Sequence, residues 1–222
     1  MNSTRLPLRS LAARLSVACL GVVSITPAWA DPAADAVATI QQGWEQITYQ
    51  KPPPEQPRLL EDLASEAHRV TEQYPGRAEP LIWEGIVISS LAGARGGLGA
   101  LGLVKQARSR YEEALKIDDK AMAGSAYNSL GVLYYKVPGW PLGFGDKKKA
   151  DELLNRALSM NPGGIDPNFF YGDFLLEAGR TRDAMPYLER AVNAPPRPGR
   201  QVADDGRRSE AKALLQKARS QM

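Results

Sequence analysis

One spacing of small residues recurs along this chain of 222 residues. A Gly is followed by an Ala, then by a large apolar residue four positions later, an Ala three positions later and a Pro five positions later. Apolar residues spaced by four and three positions share one face of an α-helix. Each copy therefore predicts two antiparallel helices that approach closely at the small residues. The most regular copy is Gly172, Ala184, Leu188, Ala191 and Pro196.

Two earlier copies extend the pattern toward the N-terminus. The copy that begins at Ala150 is preceded by a further match. The W-x2-L-G-x2-Y half of a helix-turn-helix repeat is present there as Tyr127, Leu130, Gly131 and Tyr134, with Tyr in place of Trp. These residues resemble the tetratricopeptide repeat (TPR) family. The resemblance implies a right-handed solenoid with a concave face. The earlier copies are Ala150, Leu154, Ala157 and Pro162, and Ala107, Tyr111, Ala114 and Asp119.

We therefore predict an all-α, TPR-like solenoid of about four antiparallel helical hairpins plus a C-terminal capping helix. The capping helix is expected near 204–220, where an apolar face alternates with basic residues. The helix pairs are expected at 34–50 with 58–74, 80–92 with 104–117, 121–135 with 147–159, and 168–178 with 182–193.

The first 30 residues have the pattern of a cleaved signal peptide. Three Arg residues precede an apolar run at 15–25, and Ala28-Trp29-Ala30 fits an A-x-A cleavage site. The run is too short to span a membrane. We expect a soluble periplasmic protein without a lipid anchor at Cys19, because Ser16 occupies a position where lipoprotein signals carry a bulky aliphatic residue.

The remaining chain is expected to divide into three parts. An N-terminal helix and Pro-rich linker occupy 31–57, the repeats occupy 58–203, and the cap occupies 204–222. Without the leader, 25 basic residues balance 25 acidic residues. A neutral chain releases few counterions from a nucleic-acid backbone, so we predict no nucleic-acid partner.

Two of the predicted hairpins carry insertions between their helices. The interval from the repeat Gly to the next repeat Ala is 22 and 19 residues in the second and third hairpins, against 12 in the fourth. The inserts, at 93–102 and 137–145, are expected to lie side by side and to edge a groove for a protein partner or a small apolar ligand. The rings of the second insert either fold back onto the stack or remain available for binding. The candidate binding residues are Tyr135, Trp140, Phe144 and Leu98.

A narrower resemblance rests on three segments. The string from Tyr134 to Asp146, the Gly-rich insert and residues 164–168 look like the periplasmic T-component proteins of TRAP transporter systems, and the match covers about 58–220. This resemblance implies association with the solute-binding subunit of a transporter for organic acids or other small, apolar ligands. It also implies homo-oligomers. It identifies no binding residues, and the Cys19 context differs from that of lipoprotein members.

Catalytic motifs give little support for an enzyme. Gly97-x-Gly99-x-x-Gly102 matches the dinucleotide-binding fingerprint, so a nucleotide-binding enzyme is one alternative. The helical register around it and the lack of strand-helix alternation oppose that alternative. His68 is the only His, which excludes a serine triad and a multi-His metal site. We predict a non-catalytic adaptor without cofactor or metal; a self-assembling structural envelope protein is a further alternative.

Overall fold

The computed structural model of this chain describes residue 1, residues 31–97 and residues 99–220. The predicted signal peptide, with Cys19, and the candidate residue Leu98 therefore lie outside the described residues, apart from Met1. Asp31–Met222 forms one compact unit.

The described part of this unit contains nine α-helices and one short 3-10 turn, Ala121–Gly124, and no strand. The predicted stack of four antiparallel hairpins with a C-terminal helix is confirmed. None of the described helices combines the length and the hydropathy that a membrane span requires. The helices are α1 Pro32–Gln50, α2 Gln56–Gln73, α3 Ala78–Arg95, α4 Ala100–Ile117, α5 Ser125–Lys136, α6 Lys147–Met160, α7 Ile165–Glu177, α8 Thr181–Asn193 and α9 Gln201–Ser220.

Side-chain caps start two of these helices. The carboxylate of Asp31 accepts hydrogen bonds from the backbone N–H groups of Ala33 and Ala34 ahead of α1. The carboxylate of Asp146 accepts from Lys148 and Lys149 at 2.9 and 3.1 Å, and so begins α6. These acceptors satisfy N–H groups that have no partner inside the helix.

The repeat Gly residues are the points of closest approach within the hairpins. A Cβ atom placed on any of three of them would lie 2.5 to 2.8 Å from a side chain of the facing helix. The facing residue is always the large apolar residue four positions after the repeat Ala, and it is fully buried. The common role predicted from the spacing is therefore confirmed. The contacts are Gly85 with Tyr111, Gly131 with Leu154, and Gly172 with Leu188.

The first insertion differs from the predicted loop because most of it is helical. Helices α3 and α4 contain 18 residues each, against 13 each for α7 and α8, and only residues 96–99 separate them. The Ala, Leu and Arg residues around Gly93 and Gly102 favour helix strongly enough to offset both Gly residues. The second insertion is a loop, as predicted, over residues 137–146.

The helices on the inner side of the stack close into a ring. Helix α1 contacts α3, α3 contacts α5, α5 contacts α7, α7 contacts α9, and α9 returns to α1. Helix α9 packs on α8 as the predicted cap, but its first turns also reach α1. Gly206 faces Tyr49 there, and a Cβ atom on this Gly would lie 2.3 Å from the Tyr ring. The concave face expected of the solenoid thus lies inside a ring of helices.

The close approach at Gly85 can be tested against a second Gly of the same helix. We expect Gly85→Ala to lower the free energy of unfolding by about 1–3 kcal/mol, because the new methyl group would overlap the buried Tyr111 ring. Gly93→Ala is the control, since no heavy atom lies within 4 Å of its Cβ position. It should stabilise α3 by up to about 1 kcal/mol. Urea unfolding followed by circular dichroism measures both, and equal effects would contradict the packing role of Gly85.

Candidate functional site: a cavity inside the helical ring

A cavity of about 300 Å³ lies inside the ring. All five ring helices contribute to its lining, together with the segment 194–200 that joins α8 to α9. One part of the wall is aromatic and another part carries charged side chains. We call this space the ring cavity. Its aromatic residues are Trp44, Tyr49, Tyr111, Trp83 and Phe170, and its charged residues are Asp166, Arg197, Arg200 and Arg207.

The aromatic wall is built around two indoles. The rings of Trp44 and Trp83 meet edge to face with centroids 5.8 Å apart, and Tyr49 meets Trp44 in the same manner at 5.8 Å. Trp44 Nε1 donates a hydrogen bond to Ser90 Oγ at 2.8 Å. Among the described residues, no acceptor pairs with the buried Nε1 of Trp83, and no donor pairs with the buried Oδ1 of Asn128. Buried polar groups are normally paired, so these two residues of the lining carry unmet hydrogen-bonding capacity.

The charged wall is a network of arginines and carboxylates. Arg197 donates to both Asp204 and Asp166 at 2.7 Å. Arg207 donates to Asp166 at 3.0 Å, and its guanidinium lies over the ring of Phe170 at 4.5 Å from the centroid. The network therefore orders the segment before α9 against the start of α7.

The two arginines also keep Asp166 ionised. Burial by itself raises the pKa of its carboxyl. The positive charges of Arg207 and Arg197 and the hydrogen bonds that they donate lower this pKa by more, so the pKa of Asp166 lies below its ordinary value. Since the folded-state pKa is the lower one, the interaction stabilises the fold fully above about pH 4 and is lost as the pH falls through the folded-state pKa. Burial raises the pKa of Tyr49 to about 12 despite the nearby charge of Arg207, so this phenol is neutral at neutral pH.

A buried ion pair joins the two ends of the ring. Arg200 Nε donates to Glu45 Oε1 on α1, and the side chains of Arg200 and Glu45 are only 13% and 5% exposed. The backbone N–H of Ala203 donates to the other Glu45 oxygen at 3.4 Å. The guanidinium of Arg200 also lies over the Trp83 ring, 5.0 Å from its centroid. The pair therefore fixes α9 against α1 beside the aromatic wall.

A left-handed turn forms another part of the lining. Met122 and Ala123 have φ of 48° and 53°, and Gly124 follows with φ of 82°. The helix expected from residue 121 consequently begins at Ser125. Left-handed backbone is unfavourable for residues with a Cβ by about 1–2 kcal/mol each, and it persists where tertiary contacts hold it. Here Met122 packs against the apolar core clusters beside the cavity.

The second insertion lies outside the ring cavity and presents an apolar surface. Trp140 is 90% exposed and Leu142 is 62% exposed. Backbone hydrogen bonds brace the loop, with Gly145 N–H donating to Pro138 O at 2.9 Å and Asp146 N–H donating to Tyr134 O at 2.8 Å. The exposed side chains therefore stand on an ordered loop, which we call the Trp140 loop.

Two other predicted binding residues pack within the protein. The Phe144 ring meets Tyr134 edge to face at 5.5 Å and lies under the Arg108 guanidinium of α4 at 5.0 Å. This contact places the Trp140 loop against the helix that the first insertion lengthens. Tyr135 is buried, and its hydroxyl donates to Asp173 at 2.8 Å. Neither residue lines the ring cavity.

The Gly-rich fingerprint lacks the context that dinucleotide binding requires. Helix α3, not a strand, precedes Gly97, and Gly102 lies inside α4. No heavy atom lies within 4 Å of a Cβ position on Gly97, Gly99 or Gly102, so the segment is not a close-packed strand-helix turn. Metal-ligating side chains are also not clustered: in the described part of the chain, no group of three or more His, Cys, Asp or Glu is placed to hold an ion.

Protein-family models and curated protein sequences gave no match to this chain. Solved structures with a similar arrangement include the crystal structure of MamA, with 19% identity over 72% of this chain and 87% of that chain and a TM-score of 0.44. TTC0263, a thermophilic TPR protein of Thermus thermophilus, has 13% identity over 82% of this chain and 99% of that chain, with a TM-score of 0.42. Pseudomonas aeruginosa pilF has 13% identity over 86% of this chain and 100% of that chain, with a TM-score of 0.35.

This chain has a TPR-like fold. Its repeated antiparallel hairpins and the close contacts at their Gly residues define that fold. The TPR-like residues that sequence spacing identified are the packing positions of the hairpins. The ring cavity is built mainly from residues between those positions.

The importance of the Glu45–Arg200 pair for ring closure can be measured. We expect Glu45→Ala to lower the free energy of unfolding by about 3–5 kcal/mol, because it leaves a buried guanidinium without its carboxylate. Hydrogen exchange should increase at the start of α9, around Ala203, more than around Ala218. The control is Glu189→Ala, which removes an exposed ion pair with Arg219 and should change stability by less than about 1 kcal/mol. Similar small changes in both variants would show that the buried pair does not hold the ring closed.

Proposed function

We propose that this protein is a non-catalytic binding protein that holds a small, largely apolar ligand in its ring cavity. The observation that carries the proposal is a cavity of about 300 Å³ with an aromatic wall, beside a buried ion pair that joins α1 to the residue directly before α9. Ligand pockets have volumes of about 300–1,000 Å³ and combine apolar walls with a few placed polar groups. The ring cavity has this composition and a volume at the lower end of that range.

The closed ring favours a small ligand over a partner helix. Repeat solenoids commonly bind extended partners along an open concave surface. Here α9 and the segment before it occupy that side of the stack and bring Arg200 and Ala203 against α1 and α3. A preformed cavity requires little ordering on binding, which lowers the entropy loss.

Binding in the cavity can be tested by tryptophan fluorescence. In a Trp140→Phe background, Trp44 and Trp83 are the only indoles among the described residues, and both line the cavity. We expect small apolar acids, alcohols or amides to change their emission. Phe170→Ala should weaken binding about tenfold or more, because it removes part of the wall.

Phe144→Ala is the matched control, since it removes a ring outside the cavity and should leave the affinity unchanged. Circular dichroism verifies that both variants are folded. Equal losses in the two variants, or no fluorescence response to any compound, would contradict the cavity as a ligand site.

A protein partner at the Trp140 loop is a second proposed function. Large exposed apolar side chains on a braced loop are typical of interaction surfaces, and Trp residues often dominate binding energy there. The resemblance to TRAP T-components suggests the solute-binding subunit of such a transporter as the partner. This finer proposal requires export of the protein, which residues 1–30 predict.

The partner proposal predicts a loss of binding without a loss of stability. Trp140→Ala should weaken capture of the purified TRAP-type solute-binding subunit of the same organism at least tenfold, while thermal unfolding stays unchanged because the ring is 90% exposed. Lys148→Ala, a change at an exposed residue next to the loop, should preserve capture. If the protein recovers only other copies of itself, the self-assembling alternative gains support and the transporter proposal is wrong.

A further inference from the structure

We infer that the ligand of the ring cavity is a monocarboxylate, with its carboxylate at Arg200 and its apolar body against Trp44 and Trp83. This inference rests on the proposed ligand-binding function and adds the chemical class of the ligand. It depends on the free donors of Arg200, on the charges that face the cavity, and on the aromatic wall beside them.

Arg200 has two terminal nitrogens available for a ligand. Its Nε donates to Glu45, but no acceptor in residues 31–97 and 99–220 takes a hydrogen bond from Nη1 or Nη2. The other two arginines of the lining differ, since Arg197 Nη1 donates to Asp166 at 2.7 Å and Arg207 Nη1 donates to Glu210 at 2.6 Å. The two Nη atoms of a guanidinium form a planar fork that matches the two oxygens of a carboxylate.

Protein contacts hold this fork in place before any ligand arrives. The Arg200 side chain is 13% exposed, its Nε donates a hydrogen bond to Glu45 of α1, and its guanidinium lies over the Trp83 ring. A guanidinium fixed in this way loses little side-chain entropy when a carboxylate binds. Arg200 is therefore preorganised as a receptor for an anionic head group.

The charges around the cavity disfavour a polyanion. Three arginines line it, but only one carboxylate does, that of Asp166. Glu45 and Asp204, which pair with Arg200 and Arg197, are buried and do not line the cavity. Together with Asp166 and with Glu210, which pairs with Arg207, these carboxylates offset the charge of all three arginines. The site therefore has no positive surplus for a polyanion such as a nucleotide, and the hydrogen bonds of the Arg200 fork are what would hold a single carboxylate.

The aromatic wall next to Arg200 favours an apolar body for the part of the ligand beyond its carboxylate. The rings of Trp44 and Trp83 line the cavity and offer apolar contact. The apolar body of a ligand whose carboxylate is bound at Arg200 lies next to the Trp83 indole, because the guanidinium lies over that ring. The volume of about 300 Å³ suits an apolar body of one ring or one short chain.

The test compares two probes with the same body, 3-phenylpropionate and 3-phenylpropanol, by calorimetric titration of the purified protein. We expect the carboxylate to bind at least tenfold more tightly than the alcohol. Arg200→Lys should remove that preference, because lysine retains a positive partner for Glu45 but lacks the planar fork. Arg190→Lys is the matched control, since Arg190 also stacks on an aromatic ring, that of Tyr187, and does not line the cavity.

The outcomes separate this inference from the proposed function. Equal affinities for the two probes would overturn the carboxylate assignment and leave the apolar cavity as a binding site. A carboxylate preference that persists in Arg200→Lys would overturn the role of Arg200. Absence of binding by both probes would overturn the inference, and absence of a response to every apolar compound in the fluorescence experiment would overturn the proposed function as well.

Discussion

The stack depends on the contact between a helix backbone at a Gly residue and a large side chain of the next helix. At Gly172 the missing side chain lets Leu188 lie directly against the backbone of α7, and the same arrangement occurs at Gly131 and Gly85. Burial of each large residue contributes about 1.5–3 kcal/mol, and close packing adds dispersion contacts. Since every such contact joins neighbouring helices, each hairpin is formed by residues close in sequence. The hairpins then provide the rigid wall on which the cavity is built.

Closure of the ring depends on a different kind of interaction. Glu45 and Arg200 are separated by 155 positions in the chain and are both buried in the structure. A buried ion pair has a large desolvation penalty, so its main effect is to make misalignment unfavourable: any other position of α9 would leave a buried charge without a partner. Gly206 permits the approach to Tyr49, and the prolines between α8 and α9 limit the conformations of the connecting segment. Together these features specify one position for the start of α9.

The two proposed binding surfaces arise at different levels of the structure. The Trp140 loop is a local feature, an insertion whose Pro and Gly residues and backbone hydrogen bonds hold an indole in solvent. The ring cavity is a long-range feature, because Trp44, Trp83 and Arg200 meet only when the stack has curved and α9 has returned to α1. A ligand in the cavity and a protein at the loop would therefore occupy separate parts of one rigid scaffold.

The sequence by itself determined the hairpins and most helix boundaries, because periodicity and Gly-Ala spacing act over a few residues. It also identified the second insertion as a loop. It misjudged residues 93–102, where helix formers outweigh Gly, and residues 121–124, where tertiary packing holds Met122 and Ala123 in a left-handed turn. Only the tertiary structure decided that the inner helices close into a ring and that Trp83 and Arg200 line one cavity. These residues are far apart in the chain. Local spacing in a sequence does not predict which buried charged residues form an ion pair across the folded ring.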